Sequence, residues 1–187
     1  MEGNALNEMQ KYEEAIQCYN KSIEINPQND KVYYNKCIAL NQMKRYLEAI
    51  ACYDIAIEIN PKKDQSYYNK GNALRLMKRH VEAIACYDTS IQFNPKQYEA
   101  YNNKGYSLYE MKKYEEAINC YDQSIKINPF KDQAYLNKGV ALNELKRYEE
   151  AIACYDQAIG INPQNDKAYY NKGNNLLIFI FNRYFIK

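Results

Sequence analysis

From Tyr67 onward, Tyr67, Gly71, Leu74 and Met77 recur at spacings of four and three, which puts them on one face of a helix. Val81, Ile84, Tyr87, Ile91 and Phe93 supply the apolar positions of a second helix. Between them, Lys78 and Arg79 suit the negative C-terminal end of the first dipole, and Glu82 suits the positive start of the second. Asn94 and Pro95 stop the second helix, because proline lacks an amide proton and disfavours helix in the residue before it. Residues 64–97 therefore read as a helical hairpin. Gly71 and Ala83 are small enough to let its two helices approach, and Tyr87 and Ser90 follow one and two turns beyond Ala83 on the packing side.

The hairpin is written several times. "AIACYD" begins at Ala49, Ala83 and Ala151, with the near-copies "AIQCYN" at Ala15 and "AINCYD" at Ala117, so the step is always 34 residues. All five prolines (Pro27, Pro61, Pro95, Pro129, Pro163) and five of the six cysteines obey the same step. A period of this length marks stacked supersecondary units, because one hairpin cannot bury its apolar face alone.

Composition changes this picture little. With 25 basic and 23 acidic residues the net charge is +2, so there is no general pull toward nucleic acid or an acidic membrane. Cys18, Cys52, Cys86, Cys120 and Cys154 stand at equivalent points of units whose helices lie roughly 8–10 Å apart, beyond the ~7 Å that a disulfide spans. No secretory signal opens the chain, so we read free, half-buried thiols in a reducing compartment and a cytoplasmic location. His80 is the only histidine and stands where other units have Tyr12, Tyr46, Tyr114 and Tyr148. Clustered metal ligands, a Gly-rich phosphate loop and a Ser/His/Asp constellation are all missing, so neither a metal, a cofactor nor an active site is expected.

The residues resemble the tetratricopeptide repeat. The second unit offers Tyr33, Leu40, Ala49, Tyr53, Ala56 and Pro61; the fifth offers Tyr135, Gly139, Leu142, Ala151, Tyr155, Ala158 and Pro163. Complete units are expected over 30–63, 64–97, 98–131 and 132–165, flanked by partial ones over 1–29 and 166–187. The resemblance implies an all-α, right-handed superhelical solenoid of antiparallel hairpins. It also implies a non-catalytic scaffold that holds an extended protein segment in a concave groove lined by the first helices. Two departures stand out. Lys36, Lys70, Lys104, Lys138 and Lys172 replace the leucine before the glycine, and Cys37 replaces one glycine. Such lysines are expected to lay their stems on apolar surface and lift their ammonium groups into water, with looser packing between units.

In the family, the residue two before the glycine faces the groove. Here it is Asn35, Asn69, Asn103, Asn137 and Asn171. An asparagine ladder could pair with the backbone of any extended peptide, or simply order the groove. Tyr34, Tyr68, Asn102 and Leu136 precede these asparagines, and Asn72 and Tyr106 follow three residues after Asn69 and Asn103; several of these tyrosines could equally pack between helices. The family's clamp for acidic chaperone tails needs lysine and arginine where this chain has tyrosine, asparagine or leucine and again asparagine, so no tight clamp is expected, although Lys31 and Lys167 could attract weakly.

The dipeptides Lys44-Arg45, Lys78-Arg79, Lys112-Lys113 and Lys146-Arg147 would suit an RNA-binding array, but Glu48, Glu82, Glu115-Glu116 and Glu149-Glu150 follow at once, and dipole complementation explains both signs. Another alternative is the repeat arm of a larger enzyme, delivering substrates to it. The tail from Asn175 leaves the pattern where a second helix should open, and its apolar stretch, Leu176 to Phe181, is too short to span a bilayer. Gly3 already matches the repeat glycine, so both ends fall within units and the chain reads as a piece of a longer array or an imperfect gene model.

Overall fold

The computed structural model describes residues 2–185, with side chains over residues 9–181. Among the described residues the chain forms ten helices and no strand. They fall into two compact units, residues 1–95 and 96–187. The first unit holds α1 (Glu2–Ile25), α2 (Asp30–Gln42), α3 (Tyr46–Ile59), α4 (Asp64–Leu76) and α5 (His80–Phe93). In it, α2 pairs with α3 and α4 with α5 as hairpins, while α1 packs on α2 and α3 on α4. The second unit holds α6 (Tyr98–Glu110), α7 (Tyr114–Ile127), α8 (Asp132–Glu144), α9 (Tyr148–Ile161) and α10 (Asp166–Phe185). There α6 pairs with α7 and α8 with α9, α7 packs on α8, and α10 packs on α9.

Each hairpin closes on the glycine and the tyrosine. Tyr87, Tyr121 and Tyr155 are buried, and a Cβ added at Gly71, Gly105 or Gly139 would stand 2.8, 2.7 or 2.5 Å from the ring of the tyrosine it faces. The glycines are needed for closeness, not for an unusual backbone angle. Cys37 takes the glycine's place in the α2–α3 hairpin, where it is fully buried in a cluster with Ile16, Leu40, Ala49, Cys52 and Tyr53. All six cysteines are free; Cys18 is exposed and Cys37 and Cys52 are buried, whereas Cys86, Cys120 and Cys154 are half-buried as expected.

The turns are where lysine does what glycine usually does. Lys44, Lys78, Lys112 and Lys146 all have φ of 60–61°. The Lys44 N–H donates to Asn41 O and the Arg45 N–H to Leu40 O, each at 2.9 Å, and the same two bonds recur at Lys78, Lys112 and Lys146. This is the Schellman closure of a helix C-terminus, normally built on glycine. The next residue then turns to the opening helix: Arg45 Nε donates to Glu48 at 2.6 Å, Arg79 Nε to Glu82 at 2.7 Å and Arg147 Nε to Glu150 at 2.7 Å. The asparagine before each proline also has a task. Asn60, Asn94 and Asn162 donate through Nδ2 to Asp30, Asp64 and Asp132 at 2.9, 2.8 and 2.9 Å, tying the ends of these three second helices to the starts of their first helices. The Asn60 bond holds the Asp30 carboxyl below the ordinary aspartate range.

Three of the five lysines that replace leucine turn their ammonium groups to an aspartate instead of lifting them free into water. Lys70 is ion-paired with Asp54, Lys138 Nζ lies 2.6 Å from Asp122, and Lys172 Nζ lies 2.6 Å from Asp156. Each pair ties a first helix to the second helix of the preceding hairpin, so the aspartate of "CYD" is an inter-hairpin seam. The terminal helices also differ from expectation. A turn at Lys11 and another near Ile180 would continue the period, but α1 and α10 run unbroken through both places, where Gln10 and Ile180 stand at the positions of the turn lysines. Beyond the packed part of α10, Leu177, Ile180 and Phe181 are 70, 48 and 55 % exposed. No described helix is long and apolar enough to cross a membrane.

Candidate functional site

The asparagine ladder lies on the first helices. In the first unit α2 carries Asn35 and Tyr34, and α4 carries Asn69, Tyr68 and Asn72. Asn35 is exposed and Asn69 half-buried. Asn69 Nδ2 donates to Tyr34 Oη at 2.9 Å, so one rung is bonded to the first helix of the preceding hairpin, α2. Tyr34 is held on two more sides: its ring meets Tyr53 edge-on at 6.4 Å and carries Lys63 Nζ 4.3 Å above it. Burial pushes the Tyr34 hydroxyl above its usual range. Tyr68 packs on Tyr87 with centroids 6.1 Å apart, and Asn72 Oδ1 accepts from Tyr87 Oη at 2.8 Å. Tyr34 and Tyr68 thus pack between helices, and Asn72 serves the Tyr87 hydroxyl.

In the second unit α6 carries Asn102, Asn103 and Tyr106, α8 carries Asn137, and α10 carries Asn171. Asn137 Nδ2 donates to Asn102 Oδ1 at 3.1 Å, which repeats the bond between Asn69 and Tyr34 two 34-residue repeats later. Its Oδ1 accepts from Gln133 Nε2 at 2.8 Å, and Asn102 Nδ2 reaches Asn103 Oδ1 at 3.4 Å. Tyr106 is 37 % exposed, whereas Leu136, expected on the same wall, is buried. Leu136 has no polar atom for Asn171 to meet, so the inter-helix bond cannot recur there. Sequence reasoning missed these staples because the partner lies 35 residues upstream and changes from tyrosine to asparagine. The signal was the presence of an acceptor at both Tyr34 and Asn102.

No group of three or more His, Cys, Asp or Glu side chains among the described residues is arranged to hold a metal ion. In the first unit Asn35 is exposed on α2, and in the second Tyr106 is 37 % exposed on α6. Such groups give and accept hydrogen bonds with the backbone of an extended chain and carry no charge to select it.

Family comparisons bear on the hairpins directly. Tetratricopeptide repeat profiles match residues 3–40, 30–63, 65–97 and 102–166. The chain is a tetratricopeptide repeat protein. Among solved structures it is similar to MamA, with a TM-score of 0.79, 22 % identity, and coverage of 83 % of this chain and 91 % of that one. YrrB, described as a TPR protein with an unusual peptide-binding site, matches at TM-score 0.74 and 20 % identity, over 87 % of this chain and 84 % of its own. The first TPR of Spaghetti (RPAP3), bound to the HSP90 peptide SRMEEVD, matches at TM-score 0.62 and 23 % identity, over 63 % of this chain and 94 % of its own. No curated protein sequence matches the chain at a significant level. At these identities the solved structures speak for the fold: an all-α solenoid of tetratricopeptide hairpins.

Proposed function

We propose that this protein is a non-catalytic interaction scaffold that holds an extended segment of a partner protein along the first-helix face of its hairpins. The observation that carries the reading is the ladder itself, an asparagine at one position of five successive first helices (Asn35, Asn69, Asn103, Asn137, Asn171). Tyr106 and the outer edge of Tyr68 add contact area at low entropic cost. The staples do not remove the ladder from binding. Asn69 gives one of its two N–H donors to Tyr34 and keeps its acceptor, while Asn35 is exposed and can offer both kinds of group. One similar structure bound to a peptide and another described by its peptide-binding site support a peptide as the partner. The acidic peptide of the former does not transfer, because asparagine and tyrosine stand where a carboxylate clamp needs cations.

The test compares partners retained by the wild-type chain and by a chain carrying N69A and N103A, with helix content measured for both. Loss of extended-peptide partners from a folded double variant is the expected outcome; equal retention overturns the ladder. A peptide ending in the acidic chaperone sequence should bind weakly to both.

A further inference from the structure

The inter-hairpin seam lacks its aspartate at Lys36. Lys70, Lys138 and Lys172 each hold an aspartate of the preceding second helix, Asp54, Asp122 and Asp156. The equivalent partner of Lys36 is Asn20, which has the shape of aspartate without its charge. Among the described residues Lys36 makes no ion pair, and the nearest acid acting on it is Glu48, whose carboxyl both Arg45 and Lys36 hold low. Arg45 cannot stand in for it: Nε and Nη2 are both on Glu48, and Nη1 is on Glu13 at 2.8 Å. That fork also neutralises Glu48, whose carboxyl it holds below the ordinary range.

The gap is also a space. A cavity of about 320 Å³ opens among α1, α2 and α3, lined by Asn20, Lys36, Arg45, Glu48, Cys52 and Tyr33 among others. We propose that this cavity is a binding site for a small organic carboxylate, held by the Lys36 ammonium and the Asn20 amide in place of the aspartate that the other seams supply for themselves. A carboxylate offers two acceptor oxygens, and the two side chains offer a charged and a neutral donor. Volume near the lower end of ligand pockets fits a molecule of a few carbons. The ladder asparagines are not in its wall, so the site is independent of peptide binding.

Cys52 reports on the site. Its thiol lies in the cavity wall and donates to Tyr33 O at 3.3 Å. Cys86 and Cys154 occupy the same place beside the closed pairs Lys70–Asp54 and Lys138–Asp122, and serve as internal controls. The full chain is alkylated separately with iodoacetate and iodoacetamide, and the rate at each cysteine is read by peptide mass spectrometry. The ratio of the two rates cancels intrinsic thiol reactivity and leaves the pull on the carboxylate. At Cys52 this ratio should exceed those at Cys86 and Cys154 by about tenfold, a modest yield for one unit charge at contact distance near a protein surface. Asn20→Asp closes the seam as in the other hairpins and should bring the Cys52 ratio down to theirs. Equal ratios in the wild type, or a Cys52 ratio unmoved by N20D, would overturn the site. So would a Cys52 that neither reagent reaches in the folded chain, since a cavity open to a carboxylate admits its carrier.

Discussion

Tyr87 and Tyr53 occupy the same place in consecutive hairpins, yet only one has somewhere to put its hydroxyl. Tyr87 Oη donates to Asn72 Oδ1 at 2.8 Å, while the corresponding neighbour of Tyr53 is Ile38 and its buried Oη has no partner. A buried hydroxyl without a partner forfeits its bond to water and gains nothing back. Tyr87→Phe should therefore cost about 1 kcal/mol, and Tyr53→Phe should be neutral or slightly stabilising, both read by denaturant unfolding. Equal losses would mean that the two hydroxyls contribute alike. The glycines give a second contrast. Gly71→Ala drives a methyl to 2.8 Å from a ring that is itself wholly buried, so about 1–3 kcal/mol should be lost, the usual cost of overpacking. The periodicity showed that glycine and tyrosine meet. It could not show which hydroxyl is satisfied, because that depends on a residue fifteen positions away in the partner helix.

At the scale of the helix, hairpins were legible because proline, glycine and the apolar spacing repeat in phase, and the helices begin where the period puts them. The closure of each first helix was not. Lysine is no sequence signal for positive φ, so Lys44, Lys78, Lys112 and Lys146 read only as charges suited to a helix end. They sit there because the Schellman bonds satisfy two carbonyls and because the next residue pairs with a glutamate of the following helix. The strain is real all the same: an L residue in the left-handed region costs about 1–2 kcal/mol, offset on replacement by the ~0.4–1 kcal/mol of chain entropy that glycine loses on folding. Lys78→Gly should thus raise stability by about 0.5–1 kcal/mol. Lys78→Ala should not, since alanine keeps the Cβ. A thermal melt ranking K78A at or above K78G would contradict the account. The unbroken α1 and α10 were also illegible, because Gln10 and Ile180 differ from the turn lysines at positions whose role the sequence did not reveal.

Across the whole molecule the repeated tyrosine sets a limit in alkali. Tyr53, Tyr87, Tyr121 and Tyr155 are at most 1 % exposed, and burial pushes all four hydroxyls well above the usual tyrosine range. Unfolded, the same groups ionise near pH 10. A folded pKa raised above the unfolded one contributes stability that is complete below about pH 10 and drains away as pH climbs toward the folded value. The loss is about 1.4 kcal/mol per tyrosine per pH unit, and each of the two compact units carries two such residues. Exposed tyrosines such as Tyr170, 71 % accessible, already stand in water. Alkaline titration should accordingly show two phases of tyrosinate absorbance. The first, near pH 10, leaves the helical circular dichroism intact; the second coincides with its collapse, because the buried rings ionise only when the hairpins open. A single phase near pH 10 with helix retained throughout would mean that these rings reach water within the folded chain, and the packing of glycine against tyrosine would no longer explain why each hairpin closes.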